Sequence, residues 1–452
     1  MNPGLTNVMS EIVTPSASSP AERARSVRDH LPAEGLFAGH EWRVAPAPFR
    51  LGPELAKELE SLGRVLLQFY RAVNLLYRKS AEGKQPEWVA RWLDQGKPAG
   101  LIELQRSPIL KNEVPRVIRP DLLLTEHGVS VTELDSVPGG IGLTAWLNQT
   151  YSRLGSEVMG GADGMLRGFA SIFGGAPATH IVVSEEAATY RPEMTWVANQ
   201  MGNSKFKVQD SNFTGFSEGE AVYRFFELFD LANVASANTI LELAAARRIH
   251  LTPPPKPVFE EKMLFALLWN RNLEGFWRQE LGEGFFRRLR GLVPYTWVVD
   301  PSPLPAQAAI PELNLTDWHQ LKALSQKERE LILKVSGFSA HAWGARGVYL
   351  GSDLSHADWA AAVDKAIASF GHSPFVLQRY HKPGLVEAEW FDFDHNQAVP
   401  MKGRARLCPY YFVTGEAEAA RAHLGGVLAT ICPADKKIIH GMTEAIFAPC
   451  SA

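Results

Sequence analysis

The stretch VIRPDLLLTEHGVSVTELDSVPGGIG, residues 117–142, governs the reading of the whole chain. It predicts a β-hairpin running into a glycine-rich turn. The first strand is Val117 to Thr125 and the second is Val129 to Asp135. Between them Glu126-His127-Gly128 makes a three-residue loop whose last position needs a positive φ, which glycine supplies at little cost. In that register Asp121 faces Glu133 and Arg119 faces Asp135. Side chains two apart on a strand share a face, so these four charged residues converge on one side. Leu122, Leu124 and Leu134 point to the other. Three carboxylates beside one guanidinium repel one another unless something resolves the charge. A divalent cation such as Mg²⁺ does so through carboxylate oxygens. An adjacent arginine can grip an anionic group through two parallel hydrogen bonds. The plainer alternative is an exposed salt-bridge ladder, which contributes little.

The chain's 452 residues suffice for two or three domains. Basic residues number 46 and acidic residues 49, a formal charge of −3, so neither nucleic acid nor an anionic membrane is an expected partner. Cys408, Cys432 and Cys450 are odd in number and have no CxxC spacing, which fits a reducing, cytoplasmic setting. The longest clear apolar run, Met263 to Trp269, falls short of a membrane span. The opening MNPGLTNVMSEIVTPSASSPAERARS lacks the basic and apolar regions of a signal peptide. Residues 1–45 are expected as an N-terminal extension, partly loose.

Upstream of the hairpin, Leu55, Leu59, Leu62, Leu66, Phe69, Tyr70 and Val73 recur at helical spacing. They predict a helix from Pro53 to Lys79 that core packing explains. Downstream, the turn leads into a helix from Leu143 to Leu154. A glycine-rich turn at a helix start offers N–H groups to an anion, although this one matches neither the Walker pattern nor GxGxxG. Next come a strand at His180–Ser184, the acidic pair Glu185-Glu186, a helix from Tyr190 to Met201 closed by Gly202, and a strand at Phe206–Asp210. That is the βαβ rhythm of a Rossmann-like layer. Glu185 and Glu186 then stand either at a strand end where such sheets place ligands or in the first turn of a helix. Ala221 to Phe229 and Thr239 to Arg247 read as helices. Leu251 to Pro257 reads as a stiff, proline-rich crossing and the clearest domain boundary, before a helix from Phe259 to Trp269.

In the last third, a strand at Leu331–Val335 contains Lys334. The small-residue loop Ser336 to Gly347 follows, and Val348–Leu350 resumes a strand. The pattern suits a flap over phosphates, with loop N–H groups as donors and the lysine as a point charge. A helix from Trp359 to Phe370, a strand at Phe375–Tyr380 and an aromatic-rich meander through Glu387–Phe393 and Ala405–Val413 complete the pattern. Arg404 and Arg406 share a face of the last strand.

The order of these stretches resembles that of the glutathionylspermidine synthases and their relatives, the circularly permuted ATP-grasp proteins. Arg119-Pro120-Asp121 with Glu133-x-Asp135 is similar to their metal-binding segment. Pro254-Pro255-Lys256, Glu261-Lys262-Met263-Leu264 and Leu268-Trp269 are similar to their Pro-Pro-Trp-Lys…Asn-Lys…Leu-Trp run. Lys334 with its loop resembles their lysine and phosphate flap, Phe375–Tyr380 their adenine-contacting strand, and Arg404–Tyr411 their closing strand. The resemblance spans about Arg116 to Phe412.

It implies an α/β protein with a circularly permuted ATP-grasp fold around a Rossmann-like pre-ATP-grasp domain. Residues 46–160 would form a helical segment plus the metal-binding hairpin, 161–250 the Rossmann-like domain, and 251–452 the nucleotide-binding region. The implied activity is ATP- and Mg²⁺-dependent ligation of a small-molecule carboxylate to an amine, through an acyl phosphate, with release of ADP. Carried over by residue, Asp121, Glu133 and Asp135 would bind the metal. Arg119 would stabilise the transferring phosphoryl group, with Arg406 and Lys334 also catalytic. Lys334 would contact ATP phosphates, Gly344 and Gly347 would belong to the flap, and Gln378 and Tyr380 would flank the adenine strand. Glu185 and Glu186 fall where the amine is held, and Ser136, Gly139 and Gly140 in the substrate loop. Departures are plain. The third metal ligand is Asp135 where Asn is common. Val137-Pro138-Gly139-Gly140 replaces the serines of a glutathione-binding loop, so glutathione is not implied. No second nucleotide lysine is evident before the adenine strand, although His372, Lys365 and Lys382 stand near. Two other classes stay open. One is a degenerate ATP-grasp module that binds nucleotide or peptide without ligation. The other is a hydrolase using Asp121 and Glu133 as a carboxylate pair, which leaves the Lys334 loop unexplained.

Overall fold

A computed structural model describes residues 19–32, 35–36, 41–202, 204–305, 307–342, 346–440 and 444–452. The hairpin belongs to an eight-stranded sheet, mostly antiparallel. Its main path runs Arg43–Val44, Ile446–Ser451, Arg421–Pro433, Gln397–Thr414, Val117–Thr125, Gly128–Asp135. Val386–Asp392 also pairs with Gln397–Thr414, and Phe49–Arg50 with Ile446–Ser451. Alternation along Gln397–Thr414 divides its side chains between two apolar layers. Leu407, Tyr411 and Val413 join the layer of the helices Pro53–Ala81 and Glu274–Leu292. Cys408, Tyr410 and Phe412 join that of the helices Ile141–Arg153 and Gly164–Ser171. The Tyr411 hydroxyl, deep in the first layer, donates to Leu59 O at 2.6 Å.

The long helix Pro53–Ala81 forms where its spacing predicts it, with proline at its first turn and Arg78 and Lys79 in its last. Leu59, Leu62, Phe69 and Tyr70 are completely buried, and each such side chain contributes about 1.5–3 kcal/mol of burial.

The hairpin itself differs from expectation in an instructive way. Only Glu126 and His127 connect the strands, and Thr125 pairs with Gly128. Continued unbroken, that register would turn Glu133 and Asp135 away from Asp121. A bulge after Asp121 takes up Thr132 as an extra residue, restoring Asp121 opposite Glu133 and Arg119 opposite Asp135. The Thr132 hydroxyl holds the bulge by donating to Asp121 O at 3.1 Å.

A second sheet is parallel, in the order Phe206–Asp210, Thr179–Val183, Ala221–Phe225, His250–Thr252. Its third strand lies in the segment expected as a helix from Ala221 to Phe229. All five residues of Ala221–Phe225 are buried, and a strand buried on both faces shows no period-two alternation. The proline-rich crossing after the fourth strand is no exposed linker. Residues 252–259 are all buried, and Arg224 donates to Pro253 O, Pro254 O and Phe226 O while pairing with Glu260 at 2.6 Å. Lys256, also buried, bonds Asn74, Leu110 O and Glu113 O.

The third sheet is antiparallel: Val348–Leu350, Leu331–Val335, Phe375–Arg379, Thr296–Val298. Leu331, Leu333, Val335, Phe375 and Leu377 pack with Trp359, Ala362 and Val363 of the helix His356–Ala368. The opposite face carries Ile332, Lys334 and Gln378. Within the N-terminal extension, residues 1–18 lie outside the described residues. The helix Pro20–Asp29 is capped at both bonds of a Ser19–Glu22 box, and Arg23 binds Pro46 O and Leu154 O. Among the described residues no helix is long and apolar enough to cross a membrane.

Candidate active site

A cavity of about 590 Å³ opens between the three sheets. The hairpin forms one wall, the Lys334 sheet a second, and the loops after two strands of the parallel sheet a third.

The hairpin wall is a closed set of charges. Asp121 is buried and lies between two arginines. Arg119 Nε stands 3.0 Å from Asp121 Oδ1, an ion pair without hydrogen-bond geometry. Arg406 reaches Oδ2 at 2.9 Å. The Cys408 thiol donates to Oδ1 at 3.4 Å. Burial opposes the charge on Asp121, yet Arg119 and then Arg406 outweigh it and hold the carboxyl below its ordinary range. Such a group is no general acid. Asp135 pairs with Arg119 at 2.9 Å and accepts from Val137 N. Burial pushes its carboxyl up against the pull of Arg119, with Glu133 adding to the rise. Glu133 faces the cavity, with Lys262 at 3.4 Å. Among the described residues no three His, Cys, Asp or Glu side chains converge as a metal-binding group. Asp121, Glu133 and Asp135 share a face without forming such a cluster, because the arginines take up Asp121.

The opposing wall is sparsely charged. Lys334 donates to Gln378 Oε1 at 2.9 Å and to Thr132 O, the bulge carbonyl, at 3.1 Å. Burial pushes its ammonium down to about 8. Gln378 Nε2 in turn donates to Thr296 Oγ1 at 3.0 Å. Tyr380 lines the cavity and donates to Lys437 O at 3.3 Å. Gly344 lies outside the described residues. At Gly347 an added Cβ would stand 2.5 Å from His341 O, so the flap loop closes on itself there.

The glycine-rich turn behaves otherwise than expected. Gly140 N donates to Glu193 Oε1 at 2.7 Å and Leu143 N to Oε2 at 3.3 Å. The anion at this helix start is a side chain of the protein itself. Burial, against those two N–H donors, lifts the Glu193 carboxyl to about 7. Gly140 has φ +84°, and its Cα faces the Tyr410 hydroxyl too closely for a Cβ. Gly139 O accepts from Tyr410 at 2.7 Å and from Arg119 at 3.3 Å. Ser136 lines the cavity with its buried hydroxyl unpartnered among the described residues. Glu186 lines the cavity and pairs with Arg346 of the flap loop, whereas Glu185 is outside its lining, 3.7 Å from Arg191.

Several lining residues escaped the reading of the sequence. Lys262 stands between Glu133 and Ala342 O, the latter at 2.9 Å. Its signal was present in the Glu261-Lys262 run. Glu261 itself is buried, paired with Lys97 at 2.5 Å and bonded by Ser336, which anchors the flap base. Glu227 and Asp230 follow the strand read as a helix, and nothing in their spacing marks them. His381, 3.0 Å from Ser130, and the segment Lys437–His440 complete the rim.

No family model and no curated sequence matches the chain. Among solved structures, a glutathione synthetase-like effector from Globodera pallida in apoform shares its architecture, 12% identical, covering 96% of this chain and 97% of that one at a TM-score of 0.54. A structure described as a gamma-glutamylcysteine synthetase from Methylobacillus flagellatus KT covers 84% and 87% at 12% identity and a TM-score of 0.38, where no shared fold is drawn. The chain is thus a mixed α/β protein with the fold of a glutathione synthetase-like structure over nearly its full length.

Proposed function

We propose that the protein is an ATP-dependent carboxylate–amine ligase on a circularly permuted ATP-grasp fold, with the parallel sheet as its Rossmann-like pre-ATP-grasp part. One observation carries this reading. Lys334 and Gln378, from one sheet, stand over the charged hairpin of another, and Lys334 already reaches the hairpin's bulge. The fold likeness to a glutathione synthetase-like protein supports it.

The residues fit ATP and Mg²⁺. A cavity of about 590 Å³ is of the size that holds small ligands, and Lys334, Lys262 and Arg406 line it as cations. Glu133 and Asp135 would hold Mg²⁺, which takes one or two carboxylates and completes its shell with phosphates and water. Bound there, the ion would supply charge neutralisation between phosphoryl groups. Asp121 is assigned to holding Arg119 and Arg406. Lys262, which lines the cavity, is assigned as the second phosphate cation.

In the reaction, a substrate carboxylate oxygen bonds to the γ-phosphorus as the bond to ADP breaks. The amine nitrogen then bonds to the acyl carbon, phosphate leaves with the carbon–oxygen bond, and the amine gives up a proton. Arg119 and Arg406 present fixed positive charge that costs no reorganisation, because Asp121 already holds both. Lys334 orients the phosphates, and the flap keeps water from the activated acyl group. The test is Mg·ATP calorimetry followed by ADP and phosphate release over a panel of carboxylates and amines. Absence of Mg·ATP binding would sink the reading. A nucleotide- or peptide-binding module without ligation is the second reading, favoured by the engagement of Asp121 with two arginines. Nucleotide binding with no ADP release across the panel would select it.

A further inference from the structure

The parallel sheet has a topological switch at the cavity. The chain leaves Thr179–Val183 toward Phe206–Asp210 on one side, and leaves Ala221–Phe225 toward His250–Thr252 on the other. Diverging connections open a crevice at the C-terminal ends of the two middle strands, where such sheets bind ligands. Residues that line the cavity from this crevice are Ser184, Tyr190, Phe226, Glu227, Phe229 and Asp230.

Their chemistry is lopsided. Glu227 and Asp230 have no cation within ion-pair distance among the described residues. By contrast, three cations elsewhere are engaged: Arg224 with Glu260, Arg119 with Asp121 and Asp135, Lys262 with Glu133. Asp230 is 3% exposed, and its Oδ1 accepts from Asn233 at 2.8 Å while its Oδ2 has no partner. Burial, and then the neighbouring Glu260, push the Glu227 carboxyl well above its ordinary range, against a smaller opposing pull from Arg224. A buried carboxylate oxygen without a donor asks for a cationic one. The aromatic rings beside it suit an ammonium and an apolar body alike. Among the described residues named as lining this arm there is no arginine or lysine to meet a substrate carboxylate.

We propose that this arm takes the acceptor of the ligase reaction as a primary amine with an aromatic or similarly apolar body and no carboxylate, its ammonium held by Glu227 and Asp230. The assignment rests on the ligase reading for the word acceptor, but its test does not need turnover. Calorimetry on the full chain without nucleotide compares 2-phenylethylamine, phenylalanine and 1,4-diaminobutane. 2-Phenylethylamine is expected to bind at least about tenfold more tightly than either of the others. Glu227→Gln and Asp230→Asn should each weaken it about tenfold to a hundredfold, and Phe229→Ala should weaken it as well, with unfolding midpoints held near that of the unmodified protein. Phenylalanine binding as tightly overturns the exclusion of a carboxylate. Tighter binding of 1,4-diaminobutane overturns the apolar body, and unchanged affinity in Glu227→Gln and Asp230→Asn overturns the ammonium site. The two readings fail separately. Binding of 2-phenylethylamine without ADP release over a carboxylate panel counts against ligation alone. ADP release driven by 1,4-diaminobutane and not by 2-phenylethylamine counts against the arm alone.

Discussion

The two principal walls of the cavity spend charge in opposite ways. On the hairpin wall the buried acids are answered within the wall, Asp121 by two arginines and Asp135 by one of them, while Glu133 reaches out to Lys262. On the flap wall Lys334 is held by two neutral acceptors, and burial lowers its ammonium to about 8. The first arrangement builds a rigid, preset field. The second keeps a desolvated cation in reserve for whatever anion arrives. A ligand phosphate therefore gains most from Lys334, while the hairpin charges hold the shape against which it docks.

The comparison predicts a graded set of outcomes. Asp121→Ala leaves Arg119 and Arg406 facing each other without their shared anion, and breaking such a buried set costs about 3–5 kcal/mol. Denaturant unfolding should show that loss, with Asp121→Asn closer to the unmodified protein. An unchanged midpoint for Asp121→Ala would mean the wall's charges are not interdependent. Lys334→Met should do the reverse. Its stability should hold, because a desolvated ammonium is removed, while Mg·ATP affinity falls about tenfold to a hundredfold. Equal losses of stability in the two variants would erase the distinction between the walls.

The pH dependence follows from the same lysine. Its folded value, about 8, lies below the ordinary 10.5, so between these values the unfolded chain binds more protons than the folded one. Stability from this group therefore rises with pH across that window, and Lys334→Met should lack the rise. Phosphate beside Lys334 favours its charged form, so Mg·ATP binding above about pH 8 should take up a proton. Calorimetry in two buffers of different ionisation enthalpy reads this directly, and identical enthalpies would contradict it. The smallest effect belongs to the rim. Glu186→Gln breaks an accessible pair with Arg346 and should change stability by no more than about 1 kcal/mol. It should nonetheless speed proteolytic cleavage within residues 336–347.

Much of this was legible in the sequence, for identifiable reasons. Arg119, Asp121, Glu133 and Asp135 do share one face, as alternation from a three-residue loop predicts, but they reach it by a two-residue connection and a compensating bulge. The bulge at Thr132 was not legible, since nothing local distinguishes a three-residue loop from a two-residue loop whose register is corrected four residues after Gly128. Lys334 and Gln378 were legible as members of strands. Their assignment to a nucleotide was carried by a family resemblance, and their position facing the hairpin was not foreseen. Glu193 was invisible as a cap, because a contact with Gly140 across 53 residues leaves no periodic trace. Glu227 and Asp230 were lost with the misread strand Ala221–Phe225, whose uniform burial imitates a buried helix. The strands Arg421–Pro433 and Ile446–Ser451 were also unread. The first carries Gly425 and Gly426 inside it, and glycine is an unfavourable strand residue whose place here is set by close packing against Phe412, Asn148 and Met165.

The meeting of Asp121 with Arg406 has one further consequence, which concerns time. The two residues are 285 positions apart. At about 5–20 residues per second, a ribosome needs roughly a quarter of a minute to a minute to add that length. Throughout that interval the hairpin has no long strand beside it, and an isolated hairpin in water is marginal at best. Until then Asp121 has Arg119 but not Arg406. Completion of the wall therefore waits for the synthesis of Gln397–Thr414, which pairs with Val117–Thr125.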